Sequence, residues 1–176
     1  MLGGKNVNLR IAEKEDLPLL QEWMNNPEFM GEFLIPKQWT RAELEKTESS
    51  PFEAKVFIIE KKEGSKIGYI VHFNSYIGSG QFLEIGYALS PSERRKGYCT
   101  EAAQLMVDYL FLSKDISRIQ ATTSIRNKGS QRVMEKAGLT REGIVRNFAR
   151  GARRDFYLYS ILREEWKEPK ILTRTA

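Results

Sequence analysis

Apolar residues fall at two different spacings along the chain, and the switches between them divide it into short strands and helices. Val7 to Ile11 reads as a first strand. Residues 15–26 put Leu17, Leu20 and Met24 on one helical face, and Pro27, which has no N–H to give the ladder, stops that run. A second helix is predicted from Thr40, because Thr40-x-x-Glu43 has the spacing of a capping box. Residues 54–60 and 67–73 are rich in β-branched and aromatic side chains, and the polar stretch between them predicts an antiparallel hairpin. Residues 82–89 form the next strand. From Gly97 onward Ala102, Leu105, Met106, Tyr109 and Leu110 recur at helical spacing and make a stripe that can lie on a sheet. Residues 118–124 read as a strand and 127–137 as a helix, with Gly138 where a left-handed cap is expected. A closing hairpin is predicted from 139–148 and 156–162, turning at Arg150-Gly151-Ala152. The pattern gives one α/β or α+β domain over residues 1–176, a mixed sheet flanked by helices, with residues 3–5 and 170–176 expected to be loose ends.

The junction at residues 90–102 carries the most chemistry. Ser90-Pro91-Ser92-Glu93-Arg94-Arg95-Lys96-Gly97-Tyr98-Cys99-Thr100-Glu101-Ala102 joins a strand to a helix through a short basic turn. The first N–H groups of a helix lack intrahelical acceptors and sit at the positive end of its dipole, so such a turn can hold a diphosphate. Gly97 lets the chain pass close to a ligand.

Arg94-x-x-Gly97-x-Cys99 matches, with one change, the Arg/Gln-x-x-Gly-x-Gly/Ala signature of the GNAT superfamily of acyl-CoA-dependent N-acyltransferases. Around it stand Glu84-Ile85-Gly86-Tyr87, then Asn127-x-x-Ser130-x-x-Val133-Met134-Glu135-Lys136-x-Gly138, then Glu142-Gly143 with Arg146, and Arg154-Asp155 through Glu165-Trp166. Leu9-Arg10 and Trp23-x-Asn25-x-Pro27-Glu28 extend the series toward the amino terminus. The ordered set resembles the branch of ribosomal-protein N-terminal alanine acetyltransferases, the RimJ/RimL type, over nearly the whole chain. The resemblance implies the GNAT fold: a mixed, mostly antiparallel sheet whose central parallel strands splay apart.

The resemblance also implies the site. Acetyl-CoA would be the cosubstrate, with no metal, its diphosphate on the backbone of Arg95, Lys96, Gly97, Tyr98, Cys99 and Thr100 and its charge met by Arg94, Arg95 and Lys96. Backbone groups of Tyr87, Ala88 and Leu89 would line the pantetheine in the gap and donate to the carbonyl oxygen as charge develops on it. Asn127 would bond the pantetheine and Ser130 would protonate the leaving sulfur; a plain helix N-cap also accounts for Asn127. Many relatives carry a tyrosine acid four residues after the Ser130 position, where this chain has Met134, which shifts weight to Ser130. Glu84 is the candidate base, and a surface carboxylate paired with lysine is the competing reading. Cys99 suits a small side chain packed beneath the diphosphate, and an acetyl-cysteine intermediate is the less favoured alternative.

Composition narrows the rest. The 41% apolar and 29% charged residues fit a soluble protein, and no signal peptide or membrane-length apolar run is seen, so a cytoplasmic location without membrane contact is expected. A single cysteine rules out an intrachain disulfide and a cysteine zinc cluster. His72, the only histidine, lies in a strand and is expected to have no catalytic duty. A net charge of +5 favours anionic partners without choosing among them. Arg146, Arg150, Arg153 and Arg154 are read as solvated charge on a hairpin, and direct nucleic-acid binding is not expected. Trp23, Phe29, Phe33, Leu34 and Trp39 sit around the first two helices, the region that borders the acceptor groove in the resemblance; most are expected in the core, with exposed ones shaping the pocket. The leading acceptor is the α-amine of a ribosomal or other protein. The alternatives are a polyamine or aminoglycoside-like amine, which an acidic groove around Glu28, Glu32 and Glu43 would favour, and a non-catalytic acyl-CoA sensor or ribosome-binding module. Monomer and homodimer are both open.

Overall fold

The computed structural model describes residues 1–33, 38–47, 54–77, 80–146 and 154–169. Among them an eight-stranded sheet runs in the order β1-β2-β3-β4-β5-β6-β8-β7. The strands are β1 (Leu2–Gly3), β2 (Val7–Ile11), β3 (Lys55–Lys61), β4 (Lys66–Ile77), β5 (Gly80–Leu89), β6 (Arg118–Ser124), β7 (Thr140–Val145) and β8 (Phe156–Leu162). Every neighbouring pair is antiparallel except β5 with β6, which is parallel. The helices are α1 (Leu17–Asn25), α2 (Pro27–Met30), α3 (Arg41–Thr47), α4 (Tyr98–Ser113) and α5 (Lys128–Lys136).

Alternation along the strands sorts side chains to two cores. Leu83, Ile85 and Leu89 of β5 pack with Leu105, Met106 and Leu110 of α4 and Met134 of α5. On the other face Ile58, Tyr69 and Ala88 pack with Leu20, Trp23, Phe29 and Leu44 from α1 to α3. Trp23 and Phe29 stack at 4.9 Å, which buries most of both rings and fixes α2 against α1.

The expected elements are present, with shifts of a few residues at their ends. The helix predicted over 15–26 begins as a 3-10 turn at Lys14–Asp16, and it ends at Pro27 as its ring requires. The chain then re-enters a helical turn that the pattern did not announce. Asn26 caps α2 by accepting from Glu28 N at 2.9 Å and Phe29 N at 3.2 Å, and Pro27 occupies the first helical position, where no N–H is needed. The Thr40 capping box forms, with Thr40 N donating to Glu43 at 2.9 Å and Glu43 N donating to Thr40 Oγ1 at 3.3 Å. Gly138 has φ +97°, the left-handed cap expected of it. The predicted turn at 150–152, Leu34 and the tail 170–176 lie outside the described residues.

Two anchors hold the amino-terminal strands. Glu101, in the first turn of α4, accepts from Asn6 N and Asn6 Nδ2 at 2.8 Å each. Asp16 is buried and accepts from Arg10 at 2.8 and 3.0 Å and from Lys66 at 2.8 Å. The Arg10 guanidinium is the chief reason that the Asp16 carboxyl is held well below the usual carboxylate range, and Lys66 adds to the effect. A carboxyl with a lowered folded pKa contributes stability that is complete above its unfolded value near pH 4 and is lost as pH falls toward the folded value.

Two outcomes follow from this packing. Asp16→Asn should cost about 2 kcal/mol in urea unfolding at pH 7, and the gap from wild type should shrink as pH is lowered below about 4; a gap independent of pH would contradict the charge-based account. At Gly68 an added Cβ would overlap the Ala88 carbonyl oxygen and meet Leu89 Cα at 3.0 Å. Gly68→Ala should therefore lower stability by about 2–3 kcal/mol, and a thermal midpoint equal to wild type would show that the two strands can part at no cost.

Candidate functional site

The site begins where the sheet opens. β5 and β6 pair at two positions only, Leu83–Ile119 and Glu84–Gln120. Beyond Glu84, β5 runs on to Leu89 bonded to β4, and β6 runs on to Ser124 bonded to β8. The facing edges of Ile85–Leu89 and Ala121–Ser124 therefore have no strand partner among the described residues. Unpaired strand edges present N–H and C=O groups that an extended ligand with amides can satisfy.

At the end of β5 the chain turns through a 3-10 turn at Pro91–Glu93 into α4. Positive φ at Arg95 (63°) and Gly97 (87°) bends it sharply. A side chain at Gly97 would touch nothing within 4 Å, so it is the left-handed backbone and not space that calls for glycine there. The backbone N–H groups of Arg95, Lys96, Gly97, Tyr98, Cys99 and Thr100 donate to no described residue, and the first bond of α4 is Glu101 N to Gly97 O at 3.1 Å. Six free donors at the positive end of a 16-residue helix suit an anion.

The three basic side chains of the loop are not equivalent. Lys96 Nζ lies 3.1 Å from Glu93, and Arg95 is exposed. Arg94 does something the sequence did not disclose: its Nε donates to Leu89 O at 3.1 Å, and its Nη2 donates to Glu28 O at 2.9 Å and Phe29 O at 2.7 Å. Its guanidinium ties the end of β5 to α2, across the sheet from α4. Its expected contribution to phosphate charge is thus at a remove, while its backbone opens the loop.

Glu84 stands at the fork, 9% exposed, on the face that carries Ala88 and the α1–α3 helices. Thr122 Oγ1 donates to its Oε1 at 2.8 Å and Gln120 Nε2 to its Oε2 at 3.1 Å. Both partners are neutral, so the paired-lysine reading does not describe it. Ser130 stands on the other face, in the first turn of α5, with its Oγ 2.9 Å from the Tyr87 hydroxyl. Burial pushes the Tyr87 phenol well above its ordinary range, so the hydroxyl keeps its proton. Asn127 caps α5 by accepting from Ser130 N at 3.0 Å, while its amide NH2 donates to no described residue. Cap and ligand-binding roles are therefore compatible in one side chain.

His72 is buried between Phe57 and Tyr109 on the α4 side, and burial, with Lys114 and Lys55 adding, pushes its pKa down to about 4. It is neutral at pH 7, and its packing between the Phe57 and Tyr109 rings is a structural role. Cys99 packs against the α4 core, where burial pushes the thiol up to about 12 despite Arg94 nearby, so the nucleophilic thiolate is scarce. Glu43 is engaged in its helix cap, and none of Glu28, Glu32 and Glu43 lines the cavity on the α1–α3 face of the sheet. Trp23 and Phe29 are core, Phe33 is half-buried, and Trp39 lines that cavity. Arg146 is exposed and Arg154 Nη1 donates to Glu32 O at 3.1 Å; Arg150 and Arg153 lie outside the described residues.

Tyr87, Gln120 and Thr122 were missed as side chains. Alternation places Gln120 and Thr122 on one face of their strand, but no local signal tells which residue of β5 they meet. Tyr87 was read only for its backbone, and its reach to Ser130 depends on α5 lying against β5.

Residues 6–140 match the family model described as acetyltransferase (GNAT) domain. An uncharacterized N-acetyltransferase of Bacillus subtilis, YnaD, is 32% identical over 167 residues, covering 92% of this chain and 96% of the relative. The crystal structure of a GNAT-family acetyltransferase from Bacillus anthracis superposes with a TM-score of 0.76 at 30% identity, covering 93% of this chain and 98% of that one. Two more distant structures, each 21% identical, share the fold alone. They are a ribosomal-protein-S5-alanine acetyltransferase from Vibrio fischeri (TM-score 0.77, covering 94% and 98%) and a spermidine N-acetyltransferase from Vibrio cholerae (TM-score 0.74, covering 91% and 97%).

The environment of Cys99 sets its reactivity. At pH 8 the native thiol should be alkylated by iodoacetamide at least about tenfold more slowly than free cysteine, whose pKa is about 8.5, and urea should restore the free rate. Labelling of the native protein at the free-cysteine rate would contradict the burial argument.

Proposed function

The chain belongs to the GNAT acetyltransferase family and is an acetyl-transfer enzyme, and on that premise we propose that its acceptor is the N-terminal α-amine of a ribosomal or other protein, acetylated by direct attack in a ternary complex. The observation that carries the reading is the junction of two features at one strand end: the open edge of β5 beyond Glu84 and the six free N–H groups that follow it. These suit, in order, a chain of amides and a diphosphate, which is the layout of coenzyme A. Acetyl-CoA supplies the activated thioester.

The residues of the chain then have separate tasks. Arg95 through Thr100 hold the diphosphate, and the backbone of Tyr87, Ala88 and Leu89 with the Asn127 amide orient the pantetheine, which makes the attack effectively intramolecular. Glu84, oriented by Thr122 and Gln120, takes the proton of the incoming amine directly or through water. Ser130, on the opposite face, gives a proton to the departing sulfur, with Tyr87 as its hydrogen-bond partner. Met134, at the usual tyrosine position, is 3% exposed and packed in the core, which leaves Ser130 as the hydroxyl of α5 at the site.

The chemistry of the acceptor supports an α-amine. With a pKa of roughly 8, about a tenth of it is neutral at pH 7, whereas a lysine near 10.4 is neutral in fewer than about one molecule in a thousand. A hydrogen-bonded glutamate meets the smaller demand. The resemblance of the motifs to the ribosomal-protein branch points the same way.

Release of free thiol from acetyl-CoA with a panel of peptides tests the reading. Ser130→Ala should lower kcat by about 10²-fold with KM for acetyl-CoA within about twofold, and Glu84→Gln should lower kcat by about 10²-fold at pH 7. Wild-type turnover in Ser130→Ala would reject the acid, and wild-type turnover in Glu84→Gln would reject the base.

A further inference from the structure

The face of the sheet that carries Glu84 also carries a cavity of about 710 Å³. Its floor is Tyr69, Val71 and Phe73 of β4, Leu20 and Met24 of α1 form a wall, and Trp39 stands at its border. In the antiparallel register those floor residues lie opposite Ala88, Gly86 and Glu84 respectively. Directly paired residues project to the same side, so the floor runs beside the row that ends in the proposed base. At Gly86 a Cβ would meet a single atom, Val71 Cγ1 at 3.5 Å, so the space above that residue is open.

The charge around the cavity decides what it can hold. Among the described residues four charged ones border it: Glu13, Lys14, Glu15 and Glu45. Glu13, Lys14, Glu15 and Glu45 are all exposed, and Glu45 lies 3.3 Å from Arg41. The interior offers hydrocarbon and aromatic surface. The charged groups stand exposed at the rim, so a polyamine or aminoglycoside lying in the cavity would press ammonium groups against an apolar floor and wall, which is unfavourable. An acceptor with one amine and a bulky apolar group matches it, with the amine toward Glu84 and the apolar group over Tyr69, Val71 and Phe73.

We propose that this cavity receives the first side chain of the acceptor, and that the acceptor begins with a bulky apolar residue such as phenylalanine or leucine. The inference rests on the α-amine reading given above and names the substrate class for it. Replacing a phenylalanine by alanine removes most of the apolar surface that the cavity would cover, which is worth at least about an order of magnitude in affinity.

Calorimetry on the CoA-bound protein separates binding from turnover. Tetrapeptides differing only in the first residue should bind at least about tenfold more tightly with phenylalanine or leucine than with alanine, and more tightly than spermidine. Leu17→Asp, which puts a carboxylate on the cavity lining, should bring the phenylalanine peptide down to the alanine one; Trp39→Ala serves if that variant unfolds early. Equal or tighter binding of the alanine peptide or spermidine, or no binding of any peptide, overturns the inference, as does turnover of phenethylamine without binding of the phenylalanine peptide. A phenylalanine peptide that binds tightly yet releases no thiol from acetyl-CoA sinks the α-amine acetylation reading instead and leaves the cavity assignment standing.

Discussion

The parting of β5 from β6 after Glu84 is the constraint on which the rest of the molecule turns. Two parallel strands that begin as neighbours would ordinarily zip along their length, because each unpaired N–H or C=O is a lost bond. Here each strand is held from outside. β5 is bonded along its length to β4 and β6 to β8, so the fork leaves open only the inner edges. Arg94 draws the end of β5 toward α2, and the Tyr87 side chain reaches across to α5. A wedge kept open this way has a polar backbone lining, and the loop at residues 95–100 closes its end with more free donors.

Much of this was legible in the residues, and the limits have physical causes. The strands, the long helix from Gly97 and the capped helix at Thr40 announce themselves through periodicity and cap spacing, which are local. The free donors of the loop were legible too, because a basic Gly-containing turn before an apolar helix implies them wherever the helix lies. What the sequence hid was register. Gln120 meets Glu84 because β6 is parallel to β5 at that offset, and Arg94 leaves the phosphate side because carbonyls of Leu89, Glu28 and Phe29 happen to converge within its reach. The short β1 and α2 were hidden for a different reason: two and four residues carry too little period to be read.

Burial also corrects a picture drawn from charge alone. The basic turn suggested three cations facing a ligand, yet one is committed to carbonyls and another lies beside Glu93. The loop therefore offers its backbone donors together with Arg95, while Lys96 is shared with Glu93. The thiol at the helix start shows the same priority, because the dipole and a nearby arginine would favour its anion while packing against the α4 core overrides them.

On the proposed reading the wedge is reached from opposite walls: Glu84 looks into the α1–α3 side, Ser130 and Tyr87 into the α4–α5 side. Amine and coenzyme then need no common doorway. An occluder lodged above Val71 would halt the traffic of one reactant while the nucleotide stays seated at its loop, so inhibition would be noncompetitive toward the coenzyme, and the two products would depart in either order.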